Sequence, residues 1–426
     1  MSGTNESPID VDALEVKPSS GKRLAGIEGL RAAAALSVML GHFNLHLVPG
    51  EMIPPLARHL LNVAGQGLTL FFVLSGFLLF GPFLTAAAQR RPFDVSRYFA
   101  NRFLRIYPAY VTIFLIVACG LGLAYMSPIA AANTGAEGVG ETVGRMTDVG
   151  AILANVFLVH TLTPWTIKTG LGVSWSLTAE ICFYLLLPVL AVAAVRLSGR
   201  WGLSRAAIVI SVAMIVVGLL CRTIGNMQVH GDAAAQFYQQ WGGTWLAVYL
   251  RSILCQADLF GLGMLAAVGY RHSLTLSAHE ARLRFRRWLY VAAAAAAVLT
   301  RIEYEFGFAM FFAAIVLIVT TETASGRPQW LVKLVEWHPI RWIGVISYSF
   351  YLWHLPVIWG VHKWLLDGSR PHTLPLVLLS FAAVLLVTIG LSAITYLAVE
   401  RPALLLKTRP ARKRSADALA LRGTAN

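Results

Sequence analysis

The sequence predicts an all-α polytopic membrane protein of about ten transmembrane helices with both termini in the cytoplasm. Hydrophobic residues make up 57% of the 426-residue chain and charged residues 13%, with a mean hydropathy of +0.65, which excludes a soluble globular domain. Apolar runs long enough to cross a bilayer recur along its whole length. Lysine and arginine collect in alternate connections between those runs, the bias that orients membrane helices.

The runs fall at residues 27–47, 60–84, 104–126, 176–195, 206–223, 246–270, 288–299, 306–321, 340–364 and 374–399, the seventh being short and alanine-rich. Residues 1–20 are polar and acidic rather than basic then apolar, so no cleavable signal is expected and the first run acts as both signal and anchor. With a cytoplasmic N-terminus, roughly 26 of the 35 Lys and Arg fall on the inward side and about 8 on the outward side. Inward clusters include Arg90, Arg91, Arg97, Arg102 and Arg105, and a tail running from Lys407 to Arg414. The net charge of +14 therefore expresses topology and attraction to an anionic inner leaflet, not a nucleic-acid surface.

Three segments are expected: a polar cytoplasmic N-terminus (1–22), one membrane domain (23–402) and a basic, disordered cytoplasmic tail (403–426). The longest connection, 127–173, is outward and rich in Gly and Ala. Within it, 152–160 is too short to span and is expected to re-enter or lie flat at the interface. Cys119, Cys182, Cys221 and Cys255 all sit in or beside apolar runs without a C-x-x-C pattern, so neither a disulfide framework nor a zinc site is suggested.

The chemistry lies in the polar residues that interrupt the runs. Arg31 and His42, eleven residues apart in the first, return to nearly the same helical face after about 16 Å of rise and line one stripe at two depths. Ionisable groups inside a membrane are costly, so the pair is a functional candidate; the plainer alternative is a snorkelling arginine and a satisfied helix-end histidine. Ser75-Gly76 in the second run permits close backbone approach, and alone reads as a packing site. Arg102 and Arg105 lie one turn apart at the cytoplasmic start of the third, where anchoring arginines are ordinary. The fourth opens Ser174-Trp175-Ser176 and places Glu180 about one turn inside an otherwise uncharged span, an expensive position for an unpaired carboxylate. The ninth carries Tyr348, Tyr351 and His354, and the tenth ends at Glu400-Arg401-Pro402. His42 and His46 have zinc-helix spacing, but no third ligand accompanies them, so no metal is expected.

Taken in order, these segments resemble the integral-membrane acyltransferase-3 family over residues 23–402. Arg31 and His42 match the family's Arg-x10-His element, Phe71, Phe72, Ser75, Gly76 and Phe77 its Phe-Phe-x-x-Ser-Gly-Phe element, and Arg105, Ile106 and Pro108 its Arg-Ile-x-Pro element. Trp175, Ser176, Leu177 and Glu180 match its Trp-Ser-Leu-x-x-Glu element, and Ile346 to His354 resembles its late Tyr/His helix. Two departures stand out. Glu28-Gly29-Leu30-Arg31-Ala32 replaces the frequent Asp-Gly-Leu-Arg-Gly, and Ile181 and Cys182 follow Glu180 where acids or an aromatic are common.

The resemblance implies a membrane-bound O-acyltransferase in the plasma (inner) membrane. It would move an acyl group, acetyl in the first instance, from acyl-CoA to a hydroxyl of a cell-envelope carbohydrate or lipid-linked glycan. Acyl-CoA is a co-substrate, and no bound cofactor, metal or nucleic-acid partner is expected. His42, Arg31 and Glu180 are the candidate catalytic residues, with neutral His42 as general base and Glu180 orienting it or holding the sugar. Arg102, Arg105, Ser75 and Gly76 are candidates for the donor, since arginine forks suit phosphates and Ser75 suits an oxyanion. Trp175, Tyr348 and His354 are candidates for the acceptor. An acyl-histidine intermediate, a small hydroxylated metabolite such as an antibiotic as acceptor, and a non-enzymatic transporter or flippase remain as alternatives. In depth, the arginines are placed near the cytoplasm and His42, Glu180 and His354 near the outer face.

Overall fold

The computed structural model describes residues 24–54, 61, 63–126, 143–324 and 330–408. The expected N-terminal segment 1–22, the tail beyond residue 408 and the outward stretch 127–142 lie outside the described residues. The regular structure among the described residues is helical, apart from one short antiparallel pair in which Ala124–Tyr125 meets Val143–Gly144. The helices in chain order are α1 (Ile27–Leu47), α2 (Gly67–Ala88), α3 (Val95–Leu115), α4 (Val149–Val156), α5 (Trp175–Trp201), α6 (Leu203–Asn226), α7 (Ala233–Trp241), α8 (Trp245–Leu250) and α9 (Ile253–Ser273). They continue as α10 (His279–Leu299), α11 (Tyr304–Ala324), α12 (Trp330–Val335), α13 (His338–Val345), α14 (Ser347–Gly360), α15 (Leu374–Thr395) and α16 (Arg401–Leu405).

Among the described residues, seven helical stretches are long and apolar enough to cross a membrane by length and composition, where the sequence predicts about ten. The first, seventh and ninth runs fall outside that set although all are helical. α1 carries Glu28, Arg31, His42 and His46, α10 begins with four arginines between 282 and 287, and α14 is only 14 residues long before a π turn, Val361–Leu365, extends it. Polar content and length separate these three from the rest, not helix formation. The protein is an all-α polytopic membrane protein.

α14 runs through the middle of the bundle, with every residue from Ser347 to Gly360 buried, and packs on α1 and α15. α9 is the second central element, packed on α6 and α2. Charge is neutralised where it enters this core. Arg222 of α6 reaches the buried Asp258 of α9 and, at 2.8 Å, Glu305 of α11, so three helices are tied by one guanidinium fork.

The segment ahead of α5 folds into the protein. α4 turns Ala151 and Asn155 inward while Val149, Leu153 and Phe157 stay exposed. Asn155, His160 and Ser174 are buried and link the loop: Asn155 Nδ2 donates to Thr169 Oγ1 at 2.8 Å, Tyr110 OH to the Asn155 carbonyl at 2.9 Å, and Ser174 Oγ lies 2.9 Å from His160 Nε2, while among the described residues Asn155 Oδ1 and His160 Nδ1 are buried without a partner. Bonds of this kind help irregular backbone persist at depth. α5 therefore starts beneath a folded cap rather than at an open surface.

Candidate active site

Capping sets the phase of α3. Asp94 accepts from the Arg97 amide at 2.9 Å, the N-cap that starts the helix, and Arg102 and Arg105, three residues apart, then share a face. That face meets Arg31 of α1, Ser75 of α2, Glu180 and Tyr184 of α5, and Tyr348 and Tyr351 of α14 around one cavity of about 140 Å³. Six of the ten candidate site residues, Arg31, Ser75, Arg102, Arg105, Glu180 and Tyr348, thus line one space.

Arg105 Nη1 donates to Glu400 Oε1 at 2.8 Å, and Glu400, 1% exposed, also accepts from Ser349 Oγ at 3.0 Å. The π turn Tyr396–Glu400 re-phases the end of the tenth run and brings that carboxylate to α3, a use such turns often have. Arg105 Nη2 and Arg102 Nε are buried without a hydrogen-bond partner. Both guanidiniums lie over aromatic rings, Arg102 5.9 Å from the centroid of Tyr184 and Arg105 5.8 Å from that of Tyr348. Among the described residues Arg31 makes no hydrogen bond or ion pair. Three guanidiniums facing two carboxylates, Glu180 and Glu400, leave the site cationic and supplied with unused N–H donors, the chemistry of an anion site. The positive field extends to the end of the chain described: Lys407, beyond the last helix, has its ammonium pushed down to about 6 by burial and by Arg105 and Arg102.

Glu180 departs from expectation. Its Oε1 accepts from Ser75 Oγ at 2.7 Å and from Tyr184 OH at 2.6 Å, and it does not touch His42. Residue count from a helix start measures depth only if the helix starts at the surface. α5 starts under the folded cap, and α2 starts where Gly67 meets the Ala34 carbonyl of α1, so Glu180 and Ser75 lie at the level of Arg31. Ser75 has one hydroxyl hydrogen and gives it to Glu180, which removes it as a ready oxyanion donor.

Gly76 does not line the cavity. A Cβ there would fall on the Phe260 carbonyl oxygen, and one at Gly263 on the Val73 carbonyl, so α2 and α9 cross backbone to backbone at this glycine pair. Gly76→Val is expected to cost about 1–3 kcal/mol of stability by overpacking, read as a lower melting temperature of the purified protein; an unchanged melting temperature would contradict this placement. Trp175 also lies off the cavity, its ring 6.3 Å from Phe72 and from Trp241 and 5.7 Å from the Arg251 guanidinium.

His42 lies farther along α1 with a set of rings of its own. His42 Nδ1 is 3.1 Å from His354 Nε2 and 3.1 Å from the Val38 carbonyl. His46 stacks on His42 with centroids 6.1 Å apart and lies 4.9 Å from Trp359, whose Nε1 donates to Tyr125 OH at 3.2 Å. Tyr351 stands between the two regions. It lines the arginine cavity, its ring is 5.7 Å from that of His354, and its hydroxyl donates to the Val173 carbonyl at 2.9 Å beside Ser176 Oγ at 2.7 Å. Among the described residues no group of three or more His, Cys, Asp or Glu is arranged to hold a metal ion.

Sequence reasoning put His354 within reach of His42, as the 3.1 Å contact bears out, but missed the Glu400 partner of Arg105, the Tyr351 divider and the direct bonding of the two imidazoles. A signal existed for the first, because a carboxylate closing an apolar run needs a cation. None existed for the others, which depend on how α1, α5 and α14 meet.

A family model described as an acyltransferase domain, of the acyltransferase-3 type, matches residues 24–397. Among curated proteins, the chain is similar to peptidoglycan O-acetyltransferase OatA of Listeria monocytogenes, 25% identical over 80% of this chain and 50% of that protein. It is 25% identical to the putative peptidoglycan O-acetyltransferase YrhL of Bacillus subtilis over 79% of this chain and 48% of that protein. With O-acetyltransferase OatA of Staphylococcus aureus it shares 21% identity over 91% of this chain and 58% of that protein. The chain thus spans about half the length of these relatives. No solved structure matches it.

Proposed function

This chain belongs to the acyltransferase-3 family, and we propose that it transfers an acetyl group from acetyl-CoA to a hydroxyl of a cell-envelope carbohydrate. The observation that carries this reading is the cationic cavity in which Arg31, Arg102 and Arg105 converge, with the histidine pair one aromatic side chain beyond it. The relatives' names support an O-acetyl transfer to an envelope glycan. We place the protein in the plasma membrane with about ten spans and both termini inside. The arginines then receive the phosphates of a cytoplasmic donor.

His42 lies about 16 Å of helix rise beyond Arg31, and a thioester on a flexible arm reaches it by passing Tyr351. There neutral His42 takes the proton of the acceptor hydroxyl as its oxygen attacks the thioester carbonyl. The tetrahedral adduct expels the CoA sulfur, which receives that proton, and the ester remains on the acceptor. Glu180, by holding Ser75 and Tyr184, keeps the cavity wall in shape and balances part of the arginine charge.

The test is transfer itself. Protein in lipid nanodiscs, given acetyl-CoA labelled in the acetyl group and soluble envelope-glycan fragments, is expected to place label on glycan in an alkali-labile ester. Label that stays on CoA with every glycan fraction tried would overturn the carbohydrate acceptor.

A further inference from the structure

His354 is fully buried in the central helix. Its Nδ1 has no hydrogen-bond partner, and its Nε2 lies 3.1 Å from His42 Nδ1. Its side-chain hydrogen-bond contact is with His42, its other polar neighbours being the backbone of Tyr351 and Phe350, and a sealed ring of this kind is poorly placed to meet an incoming hydroxyl.

The same His42 Nδ1 lies 3.1 Å from the Val38 carbonyl oxygen. A carbonyl oxygen only accepts, so that contact is attractive when Nδ1 carries the hydrogen and repulsive when it carries a lone pair. His42 then has its basic lone pair on Nε2. Its Nδ1–H is shared between the Val38 carbonyl and the lone pair of His354 Nε2, while His354 keeps its own proton on Nδ1.

We propose that His354 is a positioning residue for His42, selecting the Nδ1–H tautomer and holding the ring so that Nε2 is the nitrogen that takes the acceptor proton. This rests on the reading of His42 as the base. When Nε2 is protonated during attack, Nδ1–H remains bonded to two neutral acceptors, and the ring returns to the same tautomer once its Nε2 proton passes to the departing CoA sulfur. His354 thus does for His42 what a second hydrogen bond does for a base histidine generally, which is to decide which nitrogen is basic. Here the partner is a neutral ring. His46 stacks on the other side of His42, and Tyr351 is the ring against His354.

Nitrogen-15 NMR of histidine-labelled protein, with His42 assigned by loss of its signals in His42→Gln, tests this directly. The wild type is expected to show an unprotonated His42 Nε2 and a protonated Nδ1. In His354→Phe, which keeps ring volume without an acceptor, the tautomers should mix and kcat should fall roughly 10- to 100-fold, with KM for donor and acceptor within about twofold. His354→Gln, whose amide oxygen can accept from Nδ1–H, is expected to recover most of the rate. A wild-type His42 protonated on Nε2 would overturn the proposal, as would an unchanged kcat in His354→Phe or a raised acceptor KM alone. If His354→Phe fails to fold, His354→Leu carries the same two readouts, and an unchanged His42 tautomer and kcat there would overturn the proposal. Full activity in His42→Ala would overturn the base reading and the positioning role with it, whereas loss of activity in His42→Ala beside an unchanged kcat in His354→Phe would overturn the positioning role alone.

Discussion

Replacing His42 by alanine is expected to lower acyl transfer by on the order of 10² to 10⁴, the usual contribution of a positioned general base, while the protein still inserts into the membrane. Truncation removes the ring contacts of the half-buried His42 with His46 and His354 and leaves the buried His354 Nε2 without that partner, a loss of about 1–3 kcal/mol. Initial rates with labelled acetyl-CoA, normalised to folded protein, check this. A variant keeping half the wild-type rate would show that the proton goes elsewhere and would sink the role assigned to His42.

The second large effect separates two arginines that line the same cavity. Arg31 has no partner among the described residues, so Arg31→Gln should act on the donor alone. Loss of a charge-assisted contact of about 1.5–3 kcal/mol predicts roughly tenfold or more weaker acyl-CoA binding, with an unchanged melting temperature. Arg105→Gln should weaken binding and also destabilise the fold, because Glu400, 1% exposed, would keep only its bond from Ser349. Breaking a buried ion pair in this way typically costs about 3–5 kcal/mol. Calorimetric titration with acyl-CoA, beside thermal unfolding of the same samples, reads both quantities. Unchanged affinity in Arg31→Gln would return that residue to the role of a topological anchor.

The sequence by itself determined the solvent and the class. Its composition admits only a bilayer, its hydrophobic runs only helices, and the order of Arg31, His42, Ser75, Arg105 and Glu180 along those runs carries the family. Each of these is a property of one segment at a time, set by local chemistry that periodicity and spacing report. The tertiary structure decided which segments share a level. Glu180 reads as an outer residue when depth is measured from Trp175, yet it bonds Ser75 beside Arg31 because α5 begins beneath a folded cap. Gly76 belongs to a helix crossing, and its Ser75 neighbour to the cavity, because consecutive residues on a helix point about 100° apart and only α9 decides which side is packed. Glu400 meets Arg105 across 295 residues, and His354 meets His42 across 312. No local signal encodes such meetings: they follow from how α1, α3, α14 and the end of the tenth run pack, and packing is a property of the whole bundle.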